Sequence, residues 1–200
     1  MKKIMYVILG DDNTALPLKD ISKTVKVSKL EDVANIDFED YTHAIILPTE
    51  SEISDNYLDI VDVYYEQNAI MLPLVVMQTE KISGVLNTCI WNPNLTGQIG
   101  ELDHELAIKQ IDLTMFGALI PVAYLITENF NADIKFYQHF YFFNKVTYKD
   151  IKIIGVPKTI AAIQKDLSYS LISNEEKTKY FEMAKNIYPT PVLESKLKAV

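Results

Sequence analysis

The chain has 200 residues, 48% of them apolar and 12 of them tyrosine, and carries a formal net charge of −8. That much apolar content builds one buried core and excludes a disordered chain. The basic residues are scattered, which excludes a duplex nucleic-acid surface. All 19 are lysine, so an anion here meets lysine, backbone N–H groups, helix N-termini or a metal, never a guanidinium fork.

Ile4 to Leu9 is an apolar run of strand length, followed by the turn Gly10-Asp11-Asp12-Asn13. Met1-Lys2-Lys3 precedes it, but the run is too short for a signal peptide and meets Asp11-Asp12 directly. The expected location is therefore cytoplasmic, or in an assembly made in the cytoplasm. A helix is weakly signalled near Leu16 to Ser22, a second strand falls at Thr24 to Val27, and Leu30 to Phe38 is a polar connection with helical character. Ala44-Ile45-Ile46-Leu47 reads as a strand buried on both faces and ended by Pro48, which cannot donate to a ladder. Thr49-Glu50-Ser51-Glu52 then sets two carboxylates two residues apart at the strand's carboxyl end, where open α/β sheets bind ligands. Ser54 is placed to cap a helix over Asp55 to Gln67 with Leu58, Val61 and Tyr65 on one face.

Ile70 to Met77 is another strand, with Pro73 at a bulge or edge. Cys89 has no second cysteine to pair with, which excludes an intramolecular disulfide and a cysteine-rich zinc site. A turn-rich loop around Trp91 runs from Asn87 to Gly100. A strand is predicted over Gln110 to Phe116, broken by Gly117-Ala118, with Pro121 opening a helix through Thr127. The uncharged stretch Leu113 to Thr127 falls short of a membrane span. Phe136 to Phe143 is strongly aromatic, either a core helix or a sugar-stacking surface. Ile151 to Val156 alternates as a strand ended by Pro157, and Ser173-x-x-Glu176 is a capping box opening an amphipathic helix stopped by Pro189 and Pro191. Strands alternating with helices predict a single Rossmann-like α/β domain with a mixed central sheet over 1–165, and a C-terminal helical extension over 166–200.

Three segments together resemble the family-2-type glycosyltransferases of the GT-A fold, over roughly residues 42–160. In that family a strand ending in an Asp-x-Asp signature precedes a helix beginning "pdyL"; here Ile45 to Glu52 precedes Ser54-Asp55-Asn56-Tyr57-Leu58. Ile111 to Pro121 is similar to the family's acceptor-side strand and glycine. Phe130-Asn131-Ala132-Asp133 and Lys152-Ile153-Ile154-Gly155-Val156-Pro157 match the two ends of its last motif.

The resemblance implies transfer of a sugar from a nucleotide-sugar donor to a sugar or protein acceptor. Glu50 and Glu52 would hold Mn²⁺ or Mg²⁺, with glutamates standing where the family has aspartates. Asp11, Asp12 and Glu50 would contact the donor, and Trp91, Phe116 and Gly117 the acceptor. The acidic pair expected before the last helix aligns with Gln138-His139, so His139 or Asp133 would take the acceptor's proton. Each residue also has a plainer reading: Glu50 and Glu52 as a solvated acidic turn before a helix, Asp11 and Asp12 as a capped turn, His139 as a packing residue among Tyr137, Phe140 and Tyr141, and His43 as structural. No zincin spacing, serine nucleophile elbow or glycine-rich phosphate loop occurs. The alternative function is a non-catalytic GT-A-like binding or assembly module, such as a viral particle component, with protein partners or copies of itself.

Overall fold

Alternation along the first strand sets the layers. In β1 (Ile4–Leu9) Met5 and Val7 turn to one apolar cluster while Tyr6 and Ile8 turn to another, all of them buried. β3 (His43–Pro48) repeats the division, with Ala44 and Ile46 on the first side and Ile45 and Leu47 on the second. The sheet is therefore covered on both faces, which is why these strands are apolar at every position but His43. The computed structural model describes residues 2–10, 24–49, 51–78, 83–86, 100–101, 114–132, 138–148 and 151–165, together with Glu175, Thr178 and Glu182.

The described strands are completed by β2 (Thr24–Val27), β4 (Ile70–Gln78), β5 (Ser83–Leu86), β6 (Gly100–Glu101), β7 (Leu119–Pro121) and β8 (Ile153–Lys165). They form one mixed eight-stranded sheet in the order β2-β1-β3-β7-β4-β8-β6, with β5 also on β4. β1 is parallel to both β2 and β3, and β4 is parallel to β8. β7 runs against its neighbours β3 and β4. The chain leaves β1 for β2 on one side and returns to β3 on the other, so the strand order reverses between β1 and β3.

Among the described residues, two helices and several 3-10 turns cover the faces. α1 (Tyr57–Val63) packs Tyr57 and Val61 onto the second cluster. The 3-10 turn Leu30–Asn35 and α2 (Gln138–Tyr148) pack Leu30, Val33, Phe142, Phe143 and Val146 onto the first. Phe142 meets Phe130 at 5.6 Å between ring centres. Burying a side chain of this size contributes roughly 1.5–3 kcal/mol, so the aromatic run of 136–143 is, where described, a core helix.

Several expectations need correction. α1 is shorter than 55–67: Asn56, not Ser54, stands at its N-cap, and the Ser54 carbonyl instead accepts from Tyr57 N–H in a turn. Its end at Tyr64 frees Tyr65 to pack edge-on against His43. The described residues 114–116 are not a strand: Phe116 makes a lone bridge to Ile46, Met115 to Ala118 turn the chain, and the strand comes after Gly117. Pro121 closes that strand and does not open an α-helix; only 3-10 turns at Val122–Tyr124 and Thr127–Asn129 follow. Pro157 does not end β8. The register jumps there, from Pro73↔Val156 to Leu74↔Ile160, so two prolines share one irregularity and neither has to donate to a regular ladder. Of the two places expected for Pro73, a bulge or an edge, the irregularity within the sheet is the one found. The helix near 16–22, the Trp91 loop and most of the C-terminal extension lie outside the described residues, although Glu175, Thr178 and Glu182 are helical.

Candidate functional site

Open α/β sheets bind ligands beyond the carboxyl ends of strands where the strand order reverses. Here that place lies between Gly10 after β1 and Thr49 after β3. Thr49 N–H donates to the Leu9 carbonyl at 2.9 Å, and Gly10 N–H donates to the Val27 carbonyl at 2.9 Å. Gly10 has φ +147°, which side chains rarely adopt. A Cβ there would lie 2.6 Å from Thr49 Cγ2 and 2.7 Å from its Oγ1. Glycine is therefore what lets the two strand ends close on each other.

The acidic loop follows directly. Ser51 N–H donates to the Pro48 carbonyl at 3.3 Å, turning the chain. Ser51 is fully buried, and its hydroxyl has no partner among the described residues. Glu52 is exposed. Among the described residues no three His, Cys, Asp or Glu groups converge on a metal position. Glu50, Asp11, Asp12, Asp133 and Trp91 lie outside the described residues.

On the other side of β3 sits the turn Thr114–Ala118, and its backbone groups are extensively paired. Gly117 N–H donates to the Ile46 carbonyl at 2.9 Å, and Ile46 also bridges to Phe116. Phe116 N–H donates to Thr114 Oγ1 at 3.2 Å, and Ala118 N–H to the Met115 carbonyl at 3.1 Å. The Gly117 carbonyl accepts a short hydrogen bond from the hydroxyl of Tyr57. Tyr57 is fully buried, and burial pushes its phenol up. Gly117 takes φ +73°, the left-handed region. Phe116 and Gly117 are both buried, so they form the floor beside β3 and do not present a side chain to solvent.

His139 ties α2 to the same turn. Its Nδ1 accepts from Met115 N–H at 3.2 Å, which leaves the neutral ring's proton on Nε2. Its ring meets Phe116 edge-on at 4.3 Å between centres. Burial lowers its pKa to about 3, so it is neutral at ordinary pH and a weak base. These contacts pack it against Met115 and Phe116. Its neighbour Gln138 donates through Nε2 to Glu31 at 3.1 Å.

His43, at the opposite end of β3, is buried as well. Its ring nitrogens contact Thr42 Oγ1 at 2.9 Å and the Tyr65 hydroxyl at 3.3 Å. Burial, with a smaller contribution from nearby Lys2, lowers its pKa against a backbone hydrogen bond at Gln67 that raises it. Sequence reasoning missed the roles of Gly10, Thr49 and Tyr57. A glycine immediately after a buried strand, and a tyrosine opening a helix that must cover a sheet, were the available signals.

No known family model matches the chain, and no curated protein matches its sequence. Among the described residues no helix is long and apolar enough to cross a membrane.

Proposed function

We propose that the chain is a glycosyltransferase-like protein of the GT-A type. It takes a nucleotide-sugar donor at the crevice between β1 and β3 and transfers the sugar to an acceptor on the Phe116–Gly117 side. One observation carries this reading. Three segments far apart in sequence meet around one strand end: Gly117 N–H on Ile46, the Tyr57 hydroxyl on Gly117, and His139 on Met115 N–H. Those are the segments that carry the resemblance, and they meet next to the reversal of strand order that favours ligand binding.

The chemistry divides among the residues as follows. Asp11 and Asp12, two steps or fewer beyond Gly10, face the donor's base or ribose. Glu50 and Glu52 offer only oxygens, a set that suits Mn²⁺ or Mg²⁺; such an ion neutralises charge on the leaving diphosphate. His139 is a positioning residue, because its Nδ1 is already engaged and its ring resists protonation. Asp133 is left as the group to accept the acceptor hydroxyl's proton, and Trp91 as the aromatic to stack on the acceptor sugar.

The burial and low pKa of His139 also favour a second reading, a binding or assembly module that keeps the scaffold without a base. Thermal unfolding with a panel of nucleotide sugars and Mn²⁺ tests both. A donor at a hundredfold its Kd stabilises the native state by about 2.7 kcal/mol. Donor binding predicts a rise in Tm that Glu50→Gln/Glu52→Gln abolishes. No shift with any donor sinks the enzyme reading, and a shift that survives both substitutions removes the metal assignment.

A further inference from the structure

β2 pairs with β1 only from Tyr6 onward. Beside Lys2, Lys3 and Ile4 the described sheet therefore has no strand on that side. A cavity of about 380 Å³ opens by these residues, where the start of β1, the Asp40–Tyr41 segment and α1 come together. It is lined by the apolar or aromatic residues Ile4, Tyr6, Tyr41 and Leu58, and by Lys2, Lys3 and Asp40. Asp40 and Tyr41 immediately precede β3 and Lys2 precedes β1, so the cavity lies at the amino ends of these strands. A six-residue strand at about 3.3 Å per residue puts it roughly 20 Å from Gly10.

The two lysines are held differently. Lys2 is fixed: it pairs with Asp62, its Nζ stands 3.9 Å over the Tyr65 ring, and its side chain is only 18% exposed. Lys3 is loose, with its side chain 60% exposed and its Nζ 3.8 Å from an Asp40 that is 83% exposed. An ion pair so exposed is weakly held, so Lys3 can exchange Asp40 for an anion entering the cavity. Asp62 already neutralises Lys2, so among the described lining residues it is the loosely paired Lys3 that offers its charge to an entering anion.

We propose that this cavity is a binding site for a small single-ring monocarboxylate. Its ring lies among Tyr6, Tyr41 and Leu58, and its carboxylate pairs with Lys3. The volume is near the lower end for ligand pockets and has ample room for one ring and its carboxylate. Asp40 repels a second negative charge, which disfavours phosphate. The site stands independently of any donor site at the carboxyl ends.

Amide NMR titration of the full chain tests this with benzoate, with benzyl alcohol as a neutral ring and inorganic phosphate as a ringless anion. Benzoate should give saturable shifts confined to residues 2–6, 40, 41 and 58, and both controls should bind more weakly. Lys3→Gln should weaken benzoate binding roughly two- to fivefold, the size of one exposed ion pair. Absence of saturable shifts at these residues overturns the proposal. So does equal binding of benzyl alcohol or phosphate, or an unchanged benzoate affinity in Lys3→Gln.

Discussion

The two ends of β1 and β3 are built on different principles. At the carboxyl end the backbone does the shaping: Gly10 lets the chain pass against Thr49, Gly117 hangs from Ile46, and Tyr57 closes the turn from below. At the amino end side chains do it. Lys2 bridges Asp62 and covers Tyr65, Tyr65 meets His43, and Lys3 reaches Asp40. A backbone-shaped end is pre-organised and tolerates little change, as a site that must hold a ligand in register requires. An end shaped by partly exposed charges is soft and responds to salt.

The contrast breaks most sharply at Gly10. In Gly10→Ala the new methyl meets Thr49 in a conformation that side chains avoid. Strain and overpacking together predict a loss of roughly 2–5 kcal/mol in urea unfolding. Adding Thr49→Ala should return part of that loss, because the atoms nearest the methyl are gone. A Gly10→Ala chain as stable as the parent would mean that the strand ends are not held by this approach.

Acid is the next lever. His139 binds a proton near pH 6.5 when unfolded but only near pH 3 when folded. Between those values the unfolded chain holds more protons, so stability is full above pH 6.5 and falls as pH drops. This residue alone contributes a slope of up to about 1.4 kcal/mol per pH unit. His43, also lowered by burial, adds in the same direction. His139→Asn keeps an acceptor for Met115 N–H while removing the titration. Its unfolding free energy should be flatter between pH 6 and 4 than the parent's, and an unchanged slope would contradict the burial argument.

Tyr57→Phe removes the donor to a buried carbonyl and should cost about 1–3 kcal/mol. Asp62→Asn, by contrast, touches a pair whose acidic partner is 56% exposed. It should cost about 0.2–1 kcal/mol, less in high salt. If the two substitutions had equal effects, or if Tyr57→Phe were salt-sensitive, the distinction between the ends would fail.

Continuous apolar runs identified β1, β3 and β4 within a residue or so, because a strand covered on both faces is apolar along nearly its whole length. A bulge or an edge at Pro73 was equally readable, since proline has no N–H to donate. The sequence misled where tertiary partners override local signals. Residues 114–116 are apolar enough for a strand, but Thr114 Oγ1 and His139 take their N–H groups and bend them into a turn. Pro121 suits a helix start locally, yet its strand pairs with His43. At the site, the acidic loop was visible as composition at a strand end. The Gly10–Thr49 approach was not, because a turn glycine says nothing about what its missing side chain would have struck.

The claim that the backbone-shaped end is the donor site can be tested by hydrogen exchange with mass spectrometry, comparing the chain alone with the chain plus a saturating nucleotide sugar and Mn²⁺. The account predicts slower exchange in peptides covering Gly10, Thr49 to Glu52 and Phe116 to Ala118, with the Lys2 to Ile4 end unchanged. Slower exchange at the amino end alone, or no change anywhere with any donor of the panel, would contradict it.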